Sequence, residues 1–159
     1  MRVLGIDPGI ARCGWGVIDA NSARLTCINY GCIETKAKEA VEKRLAVVYE
    51  KIIKIIEKYE PSDMAVEELF FNTNAKTAFL VGQARGVILL AAGQKNIPLS
   101  IYTPLQVKMA MTGYGRAEKN QIGQMVKMLL KLKEIPKPDD TADALAVGLT
   151  RAFTNKILK

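Results

Sequence analysis

Apolar residues recur along this chain with two different periods, and the switches between them mark out its elements. Residues 2–7 are almost continuously apolar up to Asp7, the pattern of a strand covered on both faces. Pro8-Gly9 forces a turn. Residues 13–19 and 24–33 then read as two further strands, joined across Ala20-Asn21-Ser22 closely enough to favour an antiparallel hairpin. From 36 to 59 the period lengthens: Val41, Leu45, Val48, Ile52, Ile55 and Tyr59 recur every three or four residues with lysines on the other faces, which predicts a helix. Pro61 and Ser62 stop it before a short strand over 64–69. A second helix is predicted over 74–93 with Asn74 as its cap, then a fifth strand over 99–102 and a helix started by Pro104 that runs to 111. Gly113-Tyr114-Gly115 breaks that helix, and two more follow over 117–132 and 141–153, separated by Ile135-Pro136-Lys137-Pro138. This order predicts an α/β fold in one domain, 1–159: a five-stranded mixed sheet, three antiparallel strands and then parallel ones, flanked by helices.

The second helix is unusually rich in small residues, among them Gly82 and Gly86. Each helical glycine costs about 1 kcal/mol relative to alanine, so another backbone is expected to approach it, either the sheet or a second copy of the chain.

Composition narrows the chemistry. Lys and Arg number 23 against 16 Asp and Glu, a formal charge of +7 that favours a polyanionic partner. The excess is concentrated between Pro104 and Pro138, where Lys108, Arg116, Lys119, Lys127, Lys131, Lys133 and Lys137 are set against Glu118 and Glu134. Without a histidine in the chain, imidazole bases and histidine zinc sites are excluded. Cys13, Cys27 and Cys32 lack paired spacing and are expected to be reduced. No leader and no apolar run near the roughly twenty residues of a membrane span is read from the sequence, so a cytoplasmic protein without membrane contact is expected.

Against this basic background, a few acids stand in apolar or helix-forming settings. Asp7 and Glu67 end predicted strands, and Asp140 and Asp143 open the last helix with a spacing that puts both on one face. Two positions are doubled. Glu67 and Glu68 must point to opposite faces of a strand, and helix geometry accepts either Asp139 or Asp140 beside Asp143. Gathering carboxylates in an apolar setting is unfavourable unless a cation offsets their repulsion. All-oxygen ligands suit magnesium, with manganese as a substitute, and two such ions about 4 Å apart could hold the attacking and leaving oxygens of a phosphodiester.

Gly5-Ile6-Asp7-Pro8-Gly9, Ala65-Val66-Glu67, Gly82-Gln83-Ala84-Arg85-Gly86, Ala117-Glu118-Lys119 and Asp140-Thr141-Ala142-Asp143-Ala144-Leu145-Ala146 together resemble the RuvC Holliday-junction resolvases, in order and spacing, over almost the whole chain. The resemblance implies a ribonuclease-H-like fold, a homodimer, and magnesium-dependent paired symmetric nicking of four-way DNA junctions in recombination and repair. It also implies cooperation with a branch-migration helicase of the RuvA/RuvB type. It matches Asp7, Glu67, Asp140 and Asp143 to the family's catalytic metal ligands, which leaves Asp139 as a helix N-cap. Lys108 and Lys119 match family lysines that contact DNA near the active site, and Phe70 matches an aromatic position able to stack on an unpaired base, a contact of about 1 to 3 kcal/mol.

Three rivals differ in what they require. A ribonuclease-H-like nuclease acting on RNA/DNA hybrids or flaps would keep the same acids, whereas a non-catalytic junction-binding protein would need only the basic surface. An actin-like ATPase shares the Ile-Asp-x-Gly opening, but the chain is too short for two lobes.

Overall fold

The structure, a computed structural model, describes residues 1–21, 24–68 and 75–157, with side chains described as far as Thr154. Five strands form one sheet in the order β3-β2-β1-β4-β5. They are β1 (Arg2–Asp7), β2 (Arg12–Ala20), β3 (Leu25–Glu34), β4 (Asp63–Glu67) and β5 (Leu99–Tyr102). β1, β2 and β3 form an antiparallel meander, and β4 and β5 continue the sheet in parallel with β1. The helices are α1 (Val41–Tyr59), α2 (Ala75–Gln94), α3 (Pro104–Thr112), α4 (Lys119–Leu129) and α5 (Asp139–Ile157). The mixed sheet and its order agree with the sequence reading.

Strand side chains alternate between two apolar layers. Leu4, Ile6, Cys13, Val17, Met64 and Val66 pack with α1 and α2 on one face. Val3, Ile18 and Ala65 pack on the other with α3, α4 and α5. The same period-two parity carries Asp7 and Glu67 to the α5 face and turns Glu68 away from it. Glu68 is exposed, whereas Glu67 is half-buried.

Close approach of α5 to the sheet depends on two glycines. A Cβ on Gly5 would lie 2.2 Å from the Ala144 carbonyl oxygen, and one on Gly14 would lie 1.9 Å from that of Asp140. Any side chain there would lift the helix off β1 and β2. At its far end, α5 is tied to the start of β4 by a two-pronged ion pair in which Arg151 Nε and Nη2 donate to the Asp63 carboxylate at 3.0 and 2.7 Å.

Several sequence expectations need correction. The helix expected from 36 begins at Val41: residues 36–40, including Ala37 and Ala40, are all exposed and turn instead, with the Glu39 N–H donating to the Lys36 carbonyl. The helix expected from 117 to 132 is confined to Lys119–Leu129, fixed at its start by reciprocal Glu118–Gln121 capping and followed by Lys131 at φ 53°. β4 ends at Glu67, not at 69. Asp139 lies inside the first turn of α5 and is not its N-cap. Asn74, proposed as a cap, lies outside the described residues.

The expectation of no near-span-length apolar segment also fails for α2, which has 20 residues and a window of mean hydropathy 1.3, long and apolar enough by length and composition to cross a membrane. Here it packs on α1, burying Ala84, Ile88, Ala91 and Ala92. Among the described residues, no atom lies within 4 Å of a Cβ added at position 82, 86 or 93, so these glycines serve no packing there.

Candidate active site

Asp7 and Glu67 occupy the carboxyl ends of β1 and β4, adjacent parallel strands in which Ile6 pairs with Val66. Across the other edge, Asp7 pairs with Gly14, the residue on which the first turn of α5 rests. That contact brings Asp140 and Asp143 to the strand ends. The N-terminal turn of α5 has unpaired N–H groups and a positive dipole end, a favourable place for both acids.

Asp7, Glu67 and Asp143 line a cavity of about 340 Å³ with Lys108 from α3 and Lys119 from α4. Lys119 Nζ donates to Asp143 Oδ2 at 3.1 Å. Asp140 does not line this cavity. It stands at the rim, where Arg12 Nη1 approaches its Oδ2 at 3.7 Å, although its charge still reaches Asp7 and Asp143.

The electrostatics record the crowding. Burial pushes Asp7 up to about 8, helped by repulsion from Glu67, Asp143 and Asp140 and opposed by Lys119. Burial likewise pushes Glu67 up to about 7, with Asp143 adding to the shift and a hydrogen bond with Asp7, Lys119 and Lys108 working against it. Asp143 is raised by burial despite the neighbouring Lys119, whose own affinity for its proton rises chiefly through the charge of Asp143. Near neutral pH the Asp7–Glu67 pair therefore retains a proton, chiefly on Asp7, that an added positive charge would displace.

The donor set is all oxygen, clustered and short of positive charge, which fits a hard divalent cation. Among the described residues, no group of three or more acidic or cysteine side chains is drawn closely enough to hold an ion as they stand. Lys119 and Arg12 supply the neighbouring positive charge instead.

The structure thus brings Asp7, Glu67, Asp143, Lys108 and Lys119 to one cavity and Asp140 to its edge, while Phe70 lies outside the described residues. Sequence reasoning missed Arg12. The signal was available in the tight turn after Asp7, which returns the chain beside that carboxylate. It also missed Gly14, whose role depends on a helix more than a hundred residues away.

An antiparallel meander extended by parallel strands, with acids at the strand ends facing a terminal helix, defines a ribonuclease-H-like nuclease. Comparison with known proteins narrows the class. The family model for "Crossover junction endodeoxyribonuclease RuvC" matches residues 3–151. A protein of that name from Finegoldia magna is 53% identical over 156 residues, covering 98% of this chain and 95% of the relative. The solved RuvC of Thermus thermophilus superposes with a TM-score of 0.92 at 36% identity, covering 99% of this chain and 96% of the other. A second T. thermophilus RuvC structure, in complex with Holliday junction substrate, gives 0.91 at 34% identity and the same coverage. The chain belongs to the crossover junction endodeoxyribonuclease RuvC family.

Proposed function

We propose that the chain is a structure-selective endonuclease that resolves Holliday junctions by paired hydrolysis of phosphodiester bonds in DNA recombination and repair. One observation carries this reading: acids from three separate elements, Asp7, Glu67 and Asp143, face a single cavity together with two lysines. A junction-binding protein without catalysis would have no use for carboxylates raised by burial and by one another's charge.

Asp7, Glu67, Asp140 and Asp143 would hold magnesium, or manganese in its place, and such ions supply Lewis acidity at a phosphate oxygen and a more acidic water. Lys108 and Lys119 hold the scissile phosphate against the acids and neutralise its charge. Ile122 and Val107, which line the same cavity, limit the water that reaches it. Phe70 is assigned, on its family position alone, to stacking on an unpaired base at the crossover.

The homodimer is part of this proposal. Phe79 and Leu90 of α2 are 69% and 54% exposed, while buried Gln83 Oε1 and Arg85 Nε have no hydrogen-bond partner among the described residues. A second copy laid on α2 would cover the apolar surface. Two sites related by a two-fold axis would then meet the two strands cut in a four-way substrate. A RuvA/RuvB-type helicase partner and a cytoplasmic setting belong to the same proposal, the first supported by the family pattern and the second by the free Cys13, Cys27 and Cys32.

Cleavage of a four-way junction, a linear duplex and an RNA/DNA hybrid, each with and without magnesium, tests the function. Junction cutting only with the metal is expected, and preferential cutting of the hybrid would overturn the assignment. Sedimentation of Phe79→Glu tests the dimer, with a monomer expected.

A further inference from the structure

A second cavity, of about 360 Å³, adjoins the one described above, and the two share Lys119 and Asp143 as lining residues. Its remaining polar lining is Asn120 from α4, Lys137 from the loop before α5, and Asp139 at the start of α5. Its apolar lining includes Gly123 and Ile135. Gly123 allows this arrangement, because a Cβ there would meet Ile135 Cγ2 at 2.9 Å and push the loop away from α4. The Lys119–Asp143 bond stands between the cavities, and the Lys119 side chain is 74% exposed.

We propose that this second cavity seats the nucleotide next to the scissile phosphate, with Lys137 and Asn120 taking the flanking phosphate. The inference rests on the nuclease reading given above. A DNA strand whose phosphate lies between Lys108 and Lys119 must leave the catalytic cavity past the Lys119–Asp143 partition, and this cavity receives it. Lys137 supplies a positive charge and Asn120 an amide donor, the pairing that suits a phosphate oxygen. Asp139 repels a phosphate from the α5 side of the cavity, which directs it toward Lys137 and Asn120. Ile135 offers an apolar wall to the sugar. Lys137 is a positioning residue in this account. By fixing the neighbouring nucleotide it sets where the scissile phosphate stops against Asp7, Glu67 and Asp143.

A charge-deletion cycle tests the assignment. Junctions carrying one neutral methylphosphonate on either side of the cut are compared with the unmodified junction. Binding is measured by fluorescence anisotropy in EDTA across a salt series, and cleavage is measured in magnesium. Lys137→Ala is expected to weaken junction binding about tenfold and to lower the salt dependence by about one ion. In wild type, one of the two methylphosphonates should reproduce that loss, and the same substitution should cost Lys137→Ala nothing more. Lys137→Gln, which removes the charge but keeps a donor, should fall between. Lys54→Ala makes an equal charge change on α1, across the sheet, and should leave binding and cleavage unchanged.

If both methylphosphonates cost Lys137→Ala as much as they cost wild type, or if its salt slope is unaltered, the second cavity does not hold the flanking phosphate. Failure of wild type to cut the junction in magnesium would instead overturn the nuclease reading on which this proposal rests. Matching thermal melts for the variants separate either result from loss of folding.

Discussion

Gly14→Ala adds one methyl group at the point where α5 rests on β2, and the structure sets the size of the effect. Its Cβ would lie 1.9 Å from the Asp140 carbonyl oxygen and 2.3 Å from the carbonyl carbon, both backbone atoms that cannot rotate away. Gly14 has no left-handed φ to lose, so the penalty is steric. Relief requires the first turn of α5 and β2 to separate by about 1 Å, at the ~1 to 3 kcal/mol typical of overpacking. That turn carries Asp140 and Asp143, while β2 at this position pairs with Asp7. The same displacement therefore opens the acid cluster, and a misplacement of about 1 Å costs roughly a hundredfold in rate. Urea unfolding measures the first effect, and single-turnover cleavage of a four-way junction with protein in excess measures the second. Gly93→Ala is the control for folding: no atom among the described residues lies within 4 Å of its Cβ, so the same added methyl should not lower the urea midpoint. A Gly14→Ala protein with wild-type stability and wild-type cutting would refute the claim that this contact sets the spacing of the acids.

Other consequences can be measured separately. Asp7 has a folded-state pKa of about 8 against an ordinary 3.8, so the native state holds its proton more tightly than the unfolded chain. In the absence of divalent ions, the resulting stability is fully present below about pH 4 and lost as pH rises toward 8. Asp7→Asn removes that loss, and its urea midpoint should exceed that of wild type at pH 8 but not at pH 4; identical pH profiles would contradict the burial argument. The same variant should fail to cut a junction yet bind it at least as tightly as wild type in an anisotropy titration, since one negative charge is gone. Arg151→Ala leaves the buried Asp63 carboxylate without its partner and should cost about 3 to 5 kcal/mol in urea unfolding. Magnesium titrated into wild type at pH 7 should raise the melting temperature and release protons, whereas Glu67→Gln should show a smaller release by calorimetry.

The fold was legible because its signals are local. Continuous apolar runs gave β1 and β4, the hairpin spacing gave β2 and β3, and the recurrence from Val41 to Tyr59 gave α1. Element ends were less readable. Lysines and glutamates at 36–40 tolerate helix and turn equally, and Ala37 and Ala40 among them are exposed, so nothing there anchors a helix to the core; the buried residues of α1 begin only at Arg44. Asp7 and Glu67 could be named from their places at strand ends, and strand parity separates Glu67 from Glu68. The choice of Asp140 over Asp139 rested on the family pattern. In the structure, Asp139 is exposed and lines the second cavity, whereas Asp140 is half-buried at the rim, where its charge reaches Asp7. Asn120 was missed because it lines its cavity with Lys137 and Asp139, neighbours remote in sequence that no period or spacing reveals, whereas Arg12 could have been read from the tight turn that follows Asp7.

The glycines of this chain divide by what stands opposite them, and the division explains why the same residue serves two purposes. Gly5 and Gly14 face the backbone of α5 at distances that exclude any Cβ, so their absence of a side chain is used within the chain to place the acids. Gly82 and Gly86 face nothing among the described residues, although helical glycine is unfavourable by about 1 kcal/mol at each position. Stability of the isolated chain offers no reason to keep them. An apolar helix with two such gaps beside exposed Phe79 and Leu90 is instead the surface expected where another helix backbone approaches closely. On this argument Gly82→Ala and Gly86→Ala should raise the melting temperature of the monomeric Phe79→Glu protein while weakening self-association in an otherwise wild-type chain. If the two alanines strengthen association, or leave it unchanged, α2 is not where the copies meet.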